Sequence, residues 1–121
     1  MTYSGTEYHQ WEIWQVDWQH EDGTSKERPA LLFSSDKFNK EHDELWFAQI
    51  RSRHLRDRYY WEFKTTDPNF RATGLTKSCF LYMTRVQKIS KSKIRRYRGY
   101  LPSFAAYAVR ALFEEAGQAT P

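Results

Sequence analysis

Residues 11–18 alternate, with Trp14, Val16 and Trp18 on one side of an extended backbone and Gln15 and Asp17 on the other. A period of two marks a half-buried β-strand. Residues 20–26 contain Asp22-Gly23 and read as polar turn or loop. Pro29 then confines Arg28 to an extended backbone, because its ring clashes with a helical predecessor. Proline cannot donate to a β ladder and is tolerated at the first position of a strand. The apolar run over 30–33 is therefore expected as a short strand buried on both faces. Ser34, Ser35, Asp36 and Asn39 end it with turn chemistry. This leaves Arg28 at a strand mouth, guanidinium outward, on a rigid element suited to holding a phosphate.

Beyond a polar loop at 40–43, residues 44–52 read as a third strand, with Leu45, Phe47 and Gln49 opposite Trp46, Ala48 and Ile50. Residues 53–58 are charged and irregular, and 59–64 are β-rich. Asp67-Pro68-Asn69 makes 65–73 a loop, and Gly74 marks a further bend. Residues 78–86 form the clearest late strand. A short turn or helical piece over 89–93 precedes extended backbone at 94–97. Near the end, Phe104, Tyr107, Ala108, Ala111 and Leu112 recur at helical spacing, with Pro102 suited to the first turn and Gly117 to the cap. Several strands followed by one amphipathic helix predict a mostly-β fold, a barrel with the helix laid across it. No repeat or linker divides the chain, so one domain is expected over 1–121, loosely ordered at 1–10 and 118–121.

Composition narrows the class. A chain of 121 residues, 40% hydrophobic and 17% aromatic, is long enough to bury one core. The single cysteine, Cys79, lies in an apolar run, which predicts a buried, inert thiol and excludes an internal disulfide. No apolar run approaches the ~20 residues of a membrane span, and the first residues lack the basic and apolar regions of a signal peptide. Cytoplasmic residence is the resulting expectation. His9, His20 and His42 are scattered without metal-ligand spacing, and no glycine-rich phosphate loop or nucleophile elbow occurs. Neither a metal nor a cofactor is expected.

The net charge of +4 is modest, but its distribution is uneven. Residues 51–58 hold Arg51, Arg53, Arg56 and Arg58 against Asp57 alone. From 85 to 98 come Arg85, Lys88, Lys91, Lys93, Arg95, Arg96 and Arg98 without an acid. Segregated basic charge is the electrostatic footprint of a phosphate-rich partner. Tyr59, Tyr60, Trp61 and Tyr97, interleaved with these runs, offer stacking surfaces worth roughly 1–3 kcal/mol per base. A solvated basic face and core aromatics are the plainer readings of the same residues.

Arg-Pro-Ala-Leu-Leu-Phe-Ser-Ser-Asp-Lys-Phe-Asn at 28–39 resembles the RPALVVSND-FN segment of the PemK/MazF toxins of bacterial toxin–antitoxin pairs. Trp14-Gln-Val-Asp-Trp18 is similar to that family's opening strand, and Phe47-Ala-Gln-Ile-Arg-Ser-Arg53 to its APITSR strand. Gly74-Leu-Thr-Lys-Ser78 resembles its GL-KDS segment, and residues 94–101, with Gly99 and Leu101, its GRL approach to the last helix. The blocks follow family order and span most of 11–116. The resemblance implies a small SH3-like barrel of the CcdB/PemK/MazF kind, usually a homodimer, held in check by an antitoxin. It also implies a metal-independent endoribonuclease cutting single-stranded RNA, chiefly messenger RNA, by attack of a ribose 2′-OH.

The family's paired functional positions are the arginine of RPA, matched by Arg28, and a threonine or serine of the third strand. There this chain departs from the pattern: Arg51 replaces the threonine and Ser52 supplies the adjoining hydroxyl. Arg51 and Arg53 share one face of a continuous strand and Ser52 the other, so all three converge only where the strand ends or bulges. Some relatives carry an arginine and an acid where this chain has Tyr82 and Thr84. His54 is then a candidate general acid or base, since its ordinary pKa lies near neutrality. The expected catalytic set is Arg28, Ser52 and His54, with Arg51, Arg53, Arg56, Lys77, Arg85 and Tyr59 guiding RNA. Two rival readings keep the fold: a relative that binds nucleic acid without cutting it, and a gyrase-directed toxin of the CcdB branch. That branch lacks the arginine–hydroxyl pair, so Arg28 argues against it.

Overall fold

The structure, a computed structural model, describes residues 7–121. Six antiparallel strands form one sheet: β1 Glu12–Gln19, β2 Ser25–Leu32, β3 Glu44–Arg51, β4 Tyr60–Phe63, β5 Cys79–Ser90 and β6 Ile94–Tyr100. Helix α1 (Asp36–Glu41) joins β2 to β3, and α2 (Ser103–Glu115) follows β6. Single 3-10 turns occupy Phe70–Thr73 and Lys91–Lys93. Adjacent strand residues feed opposite faces. Ile13, Leu31 and Ala48 join a large cluster under α2, while Trp14, Ala30 and Phe47 join a smaller one on the other side.

The expected barrel is corrected. Strand order is β4-β5-β3-β2-β1-β6, so β4 and β6 are free edges and no ladder joins them. The sheet curls enough for Gln87 of β5 to exchange hydrogen bonds with the Gln19 backbone of β1, but it stays open. Closure fails because β4 has only four residues and because the Phe70–Thr73 turn lies against β6. Gly99 permits that contact, since a Cβ there would stand 2.1 Å from the Ala72 carbonyl oxygen. Gly74, at φ +70°, comes equally close to the Arg98 carbonyl.

Two further elements differ from the sequence reading. Residues 35–41, expected as turn and loop, contain α1. Ser35 caps it by accepting the Phe38 amide at 3.2 Å, and the buried Asn39 ties it to Ser34 and to the Tyr8 carbonyl. Helix α2 exists as expected but presents another face: it buries Ala105, Val109 and Phe113, while Phe104 and Tyr107 are 47% and 87% exposed. Phe113 sets this rotation by stacking on Phe33 at 4.7 Å. Apolar residues occur on two stripes of this helix, so periodicity alone does not choose between them.

Of the terminal segments expected to be loose, residues 1–6 lie outside the described residues. His9 and Gln10 bond Asp36, and the Ser35 amide donates to the Pro121 carbonyl at 2.8 Å. Among the described residues no helix is long and apolar enough to cross a membrane.

Candidate functional site

Strand β2 begins at Ser25, so Arg28 and Pro29 lie within it, not at its mouth. Both pair with β1, as Val16↔Arg28 and Gln15↔Pro29. Pairing of β2 with β3, however, stops at Ala30↔Gln49. The reason is local. The Phe33 amide donates to Trp46 on the β3 side, and backbone polarity alternates along a strand, so position 29 also faces β3. Proline has no amide proton to give there. The two strands separate at Pro29, and a groove of about 440 Å³ opens between them.

Arg28, Arg51, Ser52, Arg53, Lys77 and Arg98 line this groove, over a floor that includes Ile50, Leu75 and Cys79. Arg51, Ser52 and Arg53 share it because β3 ends at Arg51 and the chain bends immediately afterwards. Among the described residues Arg28 makes no salt bridge: Asp36 is engaged by His9, and Glu27 is not within reach. Its guanidinium is free to receive an anion as a bidentate donor. Arg98 has a different place. Its Nε and Nη2 donate to the Gly74 carbonyl at 3.2 and 2.7 Å and its Nη1 to Gln15 at 2.8 Å, clamping the loop that carries Lys77 against β1. Burial pushes the Cys79 thiol up to about 11, despite Arg98 and Lys77 nearby, so it stays protonated at neutral pH.

Arg85 stands apart from Arg28. It lines a second, more open groove of about 730 Å³ with Lys26, His20, Asp22 and Gln49. Arg51 borders both grooves and links them. Arg56, Tyr59 and His54 line neither. Tyr59 is half-buried under Arg58, 5.3 Å from its ring centre. The His54 ring packs against Tyr60 and Phe80 at 4.7 and 5.0 Å. Arg98 was hidden to sequence reasoning, because nothing in the basic run 85–98 sets it apart from its neighbours. Among the described residues no group of three or more His, Cys, Asp or Glu is placed to hold a metal ion.

The arrangement concentrates fixed positive charge in a cleft with an apolar floor, where low dielectric strengthens each contact to a phosphate. Its lining includes two hydroxyls, Ser52 beside the arginines and Thr76 beside Lys77, and neither histidine nor carboxylate.

Residues 9–116 match a family model described as the PemK-like, MazF-like toxin of type II toxin–antitoxin systems. No curated protein matches the sequence. Among solved structures, an endoribonuclease from a mycobacterial species, in complex with its cognate antitoxin, is similar at a TM-score of 0.72 and 12% identity, covering 94% of this chain and 99% of that one. The Mycobacterium tuberculosis toxin MazF-mt6 aligns at 0.69 and 17% identity, covering 88% and 95%. MazF from Deinococcus radiodurans aligns at 0.69 and 13% identity, covering 92% and 96%. At such identities these structures share the fold with this chain.

Proposed function

We propose, from the premise that this chain belongs to the PemK-like, MazF-like toxins of type II toxin–antitoxin systems, that it is an endoribonuclease acting on single-stranded RNA in the groove between β2 and β3. The observation that carries this reading is the convergence of the unpaired Arg28 with Ser52, Arg51, Arg53 and Lys77 in one cleft. Cleavage by attack of a ribose 2′-OH builds negative charge on a phosphorane. Arg28 donates two parallel hydrogen bonds to its non-bridging oxygens, and Ser52 donates a third. One preorganised donor of this kind contributes about 3–4 kcal/mol to lowering the barrier. Arg51, Arg53 and Lys77 hold flanking phosphates and align the attacking and leaving oxygens, which supplies the orientation part of catalysis. With neither histidine nor carboxylate in the lining, the 2′-OH proton passes to water as the 2′-oxygen bonds phosphorus, and water protonates the 5′-oxygen as its bond to phosphorus breaks, leaving a 2′,3′-cyclic phosphate.

A cognate antitoxin is the expected partner, since a mycobacterial relative was solved with its own. An acidic antitoxin segment threaded through the cationic cleft would compete with RNA. A homodimer is also proposed, supported by the exposed aromatic side chains Phe104 and Tyr107, three residues apart on α2. The cleft's lack of an acid–base pair favours a second reading, RNA binding without cleavage.

Incubating the purified protein with a long single-stranded RNA in EDTA and mapping the ends separates the two. Discrete cuts, reduced about 10²–10³-fold in Arg28→Ala, are expected. Intact RNA held in a salt-sensitive complex would establish the second reading instead.

A further inference from the structure

Tyr82 and Thr84 of β5 both reach the 52–58 loop. Strand β5 pairs Val86 with Ala48 and Tyr82 with Gln49, leaving Met83, Thr84 and Arg85 without partners on β3 in a bulge, while the Met83 amide donates to the Tyr59 carbonyl at 3.2 Å. Bulges re-aim side chains and are common beside functional sites. The Tyr82 ring is fully buried. Its hydroxyl accepts the Leu55 amide at 2.6 Å and donates to the Arg53 carbonyl at 3.0 Å. From the bulge, the Thr84 hydroxyl donates to Asp57 Oδ2, and Asp57 Oδ1 accepts the Tyr59 amide at 3.0 Å. Residues 52–58 contain no helix or strand. These two hydroxyls grip the loop on either side of Arg56, immediately after the residues that face the groove.

We propose that Tyr82 and the Thr84–Asp57 pair are positioning residues. They clasp the 52–58 loop so that Ser52 and Arg53 are presented to the phosphate held by Arg28. Neither touches the substrate; both act through the loop backbone. A loop rich in arginine repels itself and gains little from burial, so without a clasp it samples many conformations. The clasp removes that freedom before RNA arrives. The inference rests on the ribonuclease reading for its kinetic readout but not for its structural one.

The test combines amide exchange with kinetics. In Tyr82→Phe the Leu55 amide loses its acceptor, and its exchange is expected to accelerate about tenfold, in line with one lost hydrogen bond. Cleavage is expected to fall about 10²-fold in kcat with KM little changed, as when a reacting group is misplaced by about 1 Å. Thr84→Val should act in the same direction, and Thr84→Ser, which restores the hydroxyl, should recover most of the rate. Added to Ser52→Ala plus Arg53→Ala, Tyr82→Phe should cost little more, because the groups it positions are already gone. Unchanged Leu55 exchange in Tyr82→Phe, or a fully additive loss of rate, overturns the clasp. If the unaltered protein leaves RNA intact, the ribonuclease reading fails, and exchange at Leu55 and Tyr59 still decides for or against the clasp.

Discussion

A lysine at position 28 would keep the charge of Arg28 and lose its planar fork, and the two properties have different consequences. Charge steers RNA to the cleft, whereas the fork grips two oxygens of one phosphate. Arg28→Lys is therefore expected to bind RNA with nearly unchanged salt dependence while cleaving roughly tenfold or more slowly, as read by filter binding and end-mapping. The pH profile discriminates further. With proton transfer to water, cleavage should rise with pH without a break near neutrality. A rate lost in His54→Gln would instead bring that imidazole into the reaction. A second titration concerns stability. The hydrogen bond that His9 Nδ1 donates to Asp36 holds the imidazole above its ordinary value, so this pairing stabilises fully below about pH 6.5 and its contribution fades as pH rises through the raised value. Asp36 is held below the usual carboxylate range, first by the Gln10 amide and then by His9, so its contribution fades only as pH falls through that lowered value. Thermal melts should lose their dependence across the neutral range in His9→Gln. Although strand chemistry set Arg28 at a strand mouth and it lies within β2, that Arg28 and Ser52 share one groove was legible through the motif resemblance. Arg98 and Tyr82 were not, since each works through backbone groups distant in sequence, Gly74 for one and Arg53 and Leu55 for the other.

Among the elements, β2 shows how a single imino acid shapes a site. The strand was foreseen, but not its length, because residues 25–28 are polar and pair with β1 alone. Pro29→Ala restores an amide proton facing β3. Extension of the β2–β3 ladder toward Ile50 is then expected, with a narrower groove and weaker RNA binding, visible as protection against exchange of the new amide at position 29. Helix α2 was foreseen by period and misplaced by rotation. Its buried edge predicts Phe113→Ala to destabilise by about 3–4 kcal/mol in urea unfolding, against less than about 0.5 kcal/mol for Tyr107→Ala in a monomer. Helix α1 escaped sequence analysis because its Ser35 cap uses the same side-chain chemistry as a turn.

For the molecule as a whole, the two basic runs read from the sequence are gathered only in part: Arg51 and Arg53 of the first and Arg98 of the second line the cleft, and Arg28 and Lys77 join them from outside both runs. Replacing Arg51 by Ala should reduce the slope of log affinity against log salt by about 0.7 on a single strand, if it neutralises one phosphate. Tyr107→Lys is expected to convert dimer to monomer in sedimentation without lowering the melting temperature measured at high dilution. The barrel could not be read from periodicity, because alternation specifies faces of a sheet and is silent on whether its rims meet. That open seam has a cost in the crowded cell. Each rim strand offers amides and carbonyls as a template for stray chains, and β4 limits the hazard by brevity while β6 limits it by the Phe70–Thr73 turn laid against it. A side chain at position 99 would push that turn away and so uncover the rim to fibrous self-association.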